Sequence, residues 1–180
     1  MPIPTLTDEG HLPPGRYRAT ASEVYDVFVR PWPESNPRHD LWREWQDATG
    51  MLTDVVDVAM AWLSGSFLSP KAEPGDVDCV YVIPTPGIEA LAGRGRRVFD
   101  LFAWNRLRAE TGLRVDAFVL PWPLIPGVDR KPQDSVYHQD RGYWDDLWQR
   151  RRSGPKDSPP RPEDALPRRG YVEVVLDGAV

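Results

Sequence analysis

Three aspartates and one small-residue corner carry the chemistry that this sequence displays. Asp76 and Asp78 flank a single valine at the head of the apolar run DVDCVYVIP. In an extended strand, residues two apart point to the same face, so both carboxylates share one side of any sheet this run joins. Two close carboxylates repel each other, and burial raises the cost of ionising them. A divalent cation relieves both effects. Hard oxygen ligands suit Mg²⁺, or Mn²⁺, which keeps part of its water shell and is commonly completed by substrate phosphates. Asp116 interrupts a second apolar run, RVDAFVL, in the same way. If the two runs are neighbours in a sheet, Asp116 lies beside Asp76 and Asp78, and three carboxylates then make a site for one or two metal ions. Upstream stands Gly65-Ser66. Glycine lets backbone approach a ligand closely, and a serine hydroxyl with adjacent N–H groups can hold phosphate oxygens. Lys71, in the loop between corner and carboxylates, has two readings: a point charge reaching a phosphate, and a solvated loop lysine. The aspartates also have plainer readings. Asp76 can cap a turn through local N–H groups, and Asp116 can pair with Arg114 or another arginine.

The elements that must position these residues follow from periodicity and punctuation. Residues 1–20 read as an extended arm, because HLPPGRY disfavours helix. TASEVYDVFV begins a short helix with Thr20 or Ser22 as N-cap and Glu23 in its first turn. A longer helix runs from about Arg38 to Met51, on a stripe of Leu41, Trp42, Trp45, Ala48 and Leu52. Gly50 is a point where it can weaken or bend. AMAWLSG is read as a strand, although VVDVAMAWLSGSF as a whole is ambiguous between helix and strand. DVDCVYVIP is the clearest strand, β-branched and bounded by Gly75 and Pro84. GIEALAGRGRR reads as a loop or short helical turn, and its GRGRR segment as a solvated helix start rather than a phosphate or RNA contact. RVFDLFAWNRLRAETG reads as one helix with Val98, Leu101, Phe102 and Leu107 inward and Gly112 as its stop. LRVDAFVLPW is a further strand. PLIPGVDRKPQDS reads as a loop, VYHQDRGYWDDLWQRRR as partly helical, residues 153–169 as a Pro-rich loop, and residues 171–176 as a last strand added at an edge. The order implies an α/β (α+β) fold, a short mixed β-sheet flanked by helices, formed by a single domain over residues 1–180. The near-continuous apolar strands fit a sheet covered on both faces.

Composition sets the function classes. A net charge of −5 argues against bulk nucleic-acid binding. The segment MPIPTLTDEG has neither the basic nor the apolar region of a signal peptide, and no apolar run is long enough to span a bilayer. One cysteine, Cys79, fits a reducing compartment and reads as a buried small hydrophobe. The expected location is cytoplasmic, with no membrane partner. Trp42, Trp45 and Trp62 are expected in the core. Trp144 and Trp148, beside Arg150, Arg151 and Arg152, read as a helix docking by its aromatic face in preference to a surface for single-stranded nucleic acid. His11, His39 and His138 are scattered without ligand spacing.

The pattern G-S-x9-D-x-D followed by a strand-borne aspartate resembles the DNA polymerase β-like nucleotidyltransferase superfamily over Leu63 to Leu120. GHLPPGRYRAT together with GSFLSPKAEPGDVD is also similar to a small, largely uncharacterised bacterial group of nucleotidyltransferase-like proteins. The resemblance implies a minimal nucleotidyltransferase fold whose catalytic core spans 63–120. It implies that Gly65 and Ser66 hold a triphosphate, that Asp76, Asp78 and Asp116 bind Mg²⁺, and that Asp116 orients or deprotonates an acceptor hydroxyl. The implied reaction moves a nucleoside monophosphate from a nucleoside triphosphate to an RNA, protein or small-molecule hydroxyl, with release of pyrophosphate. Ser64 departs from the pattern, which favours an apolar residue there, and no separate acceptor-binding domain is evident. Two other classes remain beside it. One is a non-catalytic nucleotide-binding or regulatory protein on the same fold, such as a toxin–antitoxin or defence component with a protein partner. The other is a glycosyltransferase using D-x-D, which leaves Asp116 and Gly65-Ser66 unexplained.

Overall fold

The computed structural model describes residues 3–123, 132–155 and 157–176, with Pro132–Ser135 described in backbone only. In chain order the elements are β1 (Gly15–Ala19), α1 (Ala21–Phe28), α2 (Pro37–Thr53), β2 (Met60–Ser64), β3 (Val77–Pro84), α3 (Thr85–Glu89), α4 (Gly93–Ala103), α5 (Leu107–Thr111), β4 (Val115–Trp122), α6 (Pro132–Gln149) and β5 (Gly170–Val175). Short 3₁₀ turns lie at Gly65–Leu68 and Pro162–Ala165.

Local chemistry explains the helix starts. Thr20 Oγ1 accepts the Glu23 N–H at 3.2 Å and Glu23 Oε2 accepts the Thr20 N–H at 2.7 Å, a reciprocal cap on α1. Asn36 Oδ1 accepts the Arg38 N–H at 3.0 Å, and Pro37 sits at the first position of α2, where a missing N–H costs nothing. α2 continues through Gly50 to Thr53 without interruption.

The segment expected as one helix from Arg97 to Gly112 is instead broken in two. Asn105 adopts φ 49°, and the Arg106 N–H reaches back to the Leu101 carbonyl at 2.7 Å. That is a left-handed helix stop, with asparagine in the place glycine usually takes. α5 then ends at Gly112, φ 79°, as the sequence suggests. The break matters because it re-aims α5 and its Arg108.

The five strands form one mixed sheet in the order β1-β5-β2-β3-β4. β1 and β5 are parallel, as are β3 and β4, whereas β2 runs antiparallel to both β5 and β3. With helices on its faces this is an α+β fold. Two expectations need correction. β5 is not an added edge. It lies between β1 and β2, where its alternating Tyr171, Val172 and Val174 are buried on both faces. The N-terminal arm is not merely extended, because its end supplies β1, which is the true edge on that side. The loop expected at PLIPGVDRKPQDS also gives up Pro132–Ser135 to α6, while 124–131 lie outside the described residues.

Strand alternation separates two cores. On one face Leu63, Val77, Cys79, Tyr81, Ile83, Val115 and Ala117 pack under α1, α2, α4 and α5. On the other, Trp62, Val80, Val82, Leu120 and Tyr171 pack under α6 through Trp148, with Trp144 against Phe118. Trp148 Nε1 donates to the Trp62 carbonyl at 3.1 Å, so the aromatic stripe of α6 is a docking surface. Trp42, Trp45, Trp62 and Cys79 are all buried. No helix among the described residues is long and apolar enough to cross a membrane.

Candidate functional site

Asp78 and Asp116 are direct register partners on the parallel pair β3–β4. Asp76 lies two residues before Asp78, immediately ahead of β3. All three therefore belong to the face that α6 covers, at the end of the sheet that α6 leaves open. The entry of β4 is fixed from outside the site. Arg114 forms a forked ion pair with Glu44 of α2, Nη2 to Oε1 at 2.6 Å and Nε to Oε1 at 3.0 Å, and its backbone N–H donates to Glu44 Oε2 at 2.7 Å. The Val77 N–H donates to the Arg114 carbonyl at 3.0 Å, which sets the register that brings Asp116 beside Asp78.

The three carboxylates differ in environment. Asp76 and Asp116 are about one-third exposed, and Asp78 is half-buried with its carboxylate against the Gly65 corner. Burial raises the pKa of Asp78 to about 6, with Asp76 and Asp116 adding to the rise and Arg169 opposing it. The partner of the two outer carboxylates is Arg108, not Arg114. Its Nη1 lies 3.1 Å from Asp76 Oδ2 and 3.8 Å from Asp116 Oδ1. Among the described residues, no three His, Cys, Asp or Glu side chains are arranged so that they could hold a metal ion as they stand. The donor type and the shared face suit a hard cation, and the cation that now stands between Asp76 and Asp116 is a guanidinium.

The corner meets the carboxylates directly. β2 pairs with β3 so that Ser64 opposes Asp78, and the chain turns at Gly65 with φ 81°. A Cβ built on Gly65 would lie 1.7 Å from Asp78 Oδ2. Only glycine fits here, both for its backbone angle and for the space that the carboxylate takes. Ser64, the departure from the family pattern, is buried and donates to the Trp148 carbonyl at 3.2 Å, so its hydroxyl serves the end of α6. Ser66 is half-buried, and its carbonyl accepts the Ser69 hydroxyl at 2.7 Å. The Lys71 side chain is exposed.

What holds the corner loop is a residue that pattern reading passes over. Arg38, on the first turn of α2, is fully buried. Its Nη1 donates to the carbonyls of Phe28 at 3.1 Å and Phe67 at 2.7 Å. Its Nη2 donates to the carbonyls of Ser69 and Lys71, the latter at 2.6 Å. One planar fork thus collects three carbonyls from residues 67–71 and one from the end of α1. Burial lowers its pKa to about 10, so it stays charged at neutral pH. Arg108 and Arg169 were missed in the same way. An arginine in a helix or loop carries no motif, and only the topology shows which carboxylate it faces.

A groove of about 680 Å³ lies elsewhere, between α1 and α2, lined by Tyr25, His39, Trp42 and Arg43 among others. None of the three aspartates lines it, so it is separate from the chemistry described above.

The class defined by these features is an α+β protein with a carboxylate-bearing sheet end, closed on one side by a glycine corner. The chain belongs to the family of unknown function DUF6932, whose model matches residues 4–175. No curated protein and no solved structure matches it.

Proposed function

We propose that this protein is a nucleotidyltransferase, moving a nucleoside monophosphate from a nucleoside triphosphate to a hydroxyl acceptor in the cytoplasm. The observation that carries the reading is the pairing of Asp78 with Asp116 across parallel strands, with Asp76 on the same face and Gly65 pressed against the Asp78 carboxylate. Asp76, Asp78 and Asp116 are the residues that would hold Mg²⁺ or Mn²⁺. Such an ion, when bound, supplies electrophilic stabilisation of charge on the phosphoryl oxygens. The Gly65-Ser66 corner offers backbone N–H groups and a hydroxyl to the phosphates, with Lys71 in the same loop as an exposed cation. Asp116, the more exposed strand carboxylate, accepts the proton of the acceptor hydroxyl. The acceptor oxygen bonds to the α-phosphorus, the bond from the α-phosphorus to the bridging oxygen breaks, and pyrophosphate leaves.

Arg108 favours a second reading, in which the same fold binds a nucleotide or a protein partner without turnover. A guanidinium paired with Asp76 and Asp116 is what a retired site would also contain. One experiment separates the two. Each α-labelled nucleoside triphosphate is incubated with Mg²⁺, cell extract and either the wild type or the Asp76→Ala/Asp78→Ala variant. Label transferred to an acceptor by the wild type alone supports transfer. Label moved equally by both proteins removes the three aspartates from the chemistry, and no transfer by either leaves the binding reading.

A further inference from the structure

The end of the sheet that carries the aspartates also carries a group of arginines. β5 begins beside the end of β2, with Val172 opposite Leu63, so Arg169 emerges next to Ser64 and Asp78. Arg169 Nε donates to the Trp148 carbonyl at 3.1 Å, and Ser64 Oγ donates to the same oxygen at 3.2 Å. Two backbone bonds, from the Arg168 and Arg169 N–H groups to the Gln149 carbonyl at 2.8 and 3.1 Å, fasten this segment to the end of α6. Arg151 follows two residues after that helix. Asp78 and Arg169 each feel the other's charge, and Arg169 in turn feels Arg151. His11 completes the group. Its pKa is lowered by burial and by Arg151, Arg169 and Arg168.

One acidic side chain sits among these cations. Glu9, on the N-terminal arm, is 62% exposed, yet its Oε2 lies 2.9 Å from Arg151 Nη1 and 3.7 Å from Arg168 Nη2. Two guanidiniums converging on one oxygen is the arrangement arginine uses for phosphate as well as carboxylate. The arm presents Glu9 from a tight turn, in which the Gly10 N–H donates to the Thr7 carbonyl at 2.8 Å and Gly10 takes φ 76°. Three arginines against one exposed carboxylate leave a positive excess directly beside the negative sheet end. That juxtaposition suits a ligand with a polyanionic tail and a cation-bearing head.

We propose that Arg151 and Arg168, with Arg169 behind them, form a polyphosphate subsite continuous with the aspartate face, and that the Glu9 carboxylate occupies it until a ligand phosphate takes its place. This rests on the nucleotidyl-transfer reading for its setting, since it assigns the β- and γ-phosphates of a nucleoside triphosphate to these arginines. Free inorganic polyphosphate offers the same chemistry. Arg169 also caps α6, so the test uses the outer two arginines and Glu9.

The test is isothermal titration with inorganic tripolyphosphate, with ATP and with a single-stranded RNA oligonucleotide, using the wild type, Glu9→Gln and Arg151→Ala/Arg168→Ala, with thermal melts as a folding control. Glu9→Gln is expected to tighten tripolyphosphate binding about three- to fivefold, the size of an exposed ion pair released. The double arginine variant is expected to weaken tripolyphosphate and ATP together by about tenfold or more, as losing charge-assisted hydrogen bonds does. ATP weakened without tripolyphosphate, unchanged affinities in both variants, or RNA held through these arginines with no tripolyphosphate bound would each overturn the subsite. Its failure is distinguishable from that of the transfer reading. Label transfer that needs Asp76 and Asp78 but has an unchanged KM for nucleotide in the arginine variant removes the subsite alone. Tripolyphosphate binding that follows the arginines, in a protein that transfers no label, removes transfer alone.

Discussion

Replacing Asp78 by asparagine should stabilise the metal-free protein, which is the reverse of what a structural ion pair would do. Asp78 ionises at about 6 in the fold against an ordinary 3.8. Between those values the unfolded chain has already released its proton while the folded chain retains it, so stability falls as pH rises through that window and stays low above it. Asparagine removes the titration. In urea melts with a chelator present, the Asp78→Asn variant should match the wild type near pH 4 and exceed it by about 1–3 kcal/mol at pH 7. A gap that does not change with pH would show that burial of the charge is not the cause. Gly65→Ala should do the opposite and cost at least about 1–2 kcal/mol for the left-handed backbone alone. The added clash is with the Asp78 carboxylate, so Asp78→Ala in the same chain should recover the steric part and leave the backbone part. Additive losses in that double-mutant cycle would mean that corner and carboxylate do not touch. At this scale the sequence was informative. Two aspartates at i, i+2 and one on a later strand have their face fixed by the period of a strand. The cation paired with the outer two could not be read, because Arg108 reaches them only through the helix break at Asn105.

Among the elements, the corner loop depends on α2. Arg38 satisfies four carbonyls from a buried position, and a lysine has neither the planar fork nor the reach to do so. Arg38→Lys should therefore destabilise the protein by about 2–4 kcal/mol through carbonyls left without partners. It should also raise amide exchange selectively across residues 65–71, measurable by hydrogen–deuterium exchange. Uniform exchange with no local change would show that the loop holds itself. Strong local signals made most elements legible: the Thr20–Glu23 cap, the tryptophan stripe of α2 and the β-branched run of β3. The break between α4 and α5 was hidden because the hydrophobic spacing continues across it. The signal was Asn105 alone, and asparagine at a helix stop is much weaker punctuation than glycine.

For the whole molecule, the placement of β5 decides how the chain folds. A strand near the C-terminus reads naturally as an appendage, since nothing in a six-residue apolar run says which neighbours it will have. Here it lies inside the sheet and joins β1 to the rest. Its alternating buried residues on both faces were the available sign, because an edge strand is more often polar on one side. A chain ending at Arg169 should consequently fail to fold, with no cooperative thermal transition by circular dichroism. A truncated chain that melts cooperatively would contradict the interior position. The same placement brings Arg169 within electrostatic reach of Asp78, a residue about ninety positions earlier in the chain. The mixed sheet with both faces covered was legible from strand character. Its order was not, because it depends on pairings between residues 15–19 and 170–175 that no local pattern encodes.

We propose that Asp76, Asp78 and Asp116 form a cation site for a nucleotide, with Arg108 as the cation now paired to two of them. Its most direct test is Mn²⁺ titration followed by electron paramagnetic resonance, with a nucleoside triphosphate present, for the wild type and the Asp76→Asn/Asp78→Asn variant. The wild type is predicted to remove free Mn²⁺ signal beyond what the nucleotide removes by itself, and the variant, still folded, is predicted to add nothing. Equal Mn²⁺ binding by the two proteins, or none by the wild type, would contradict a cation site at these aspartates.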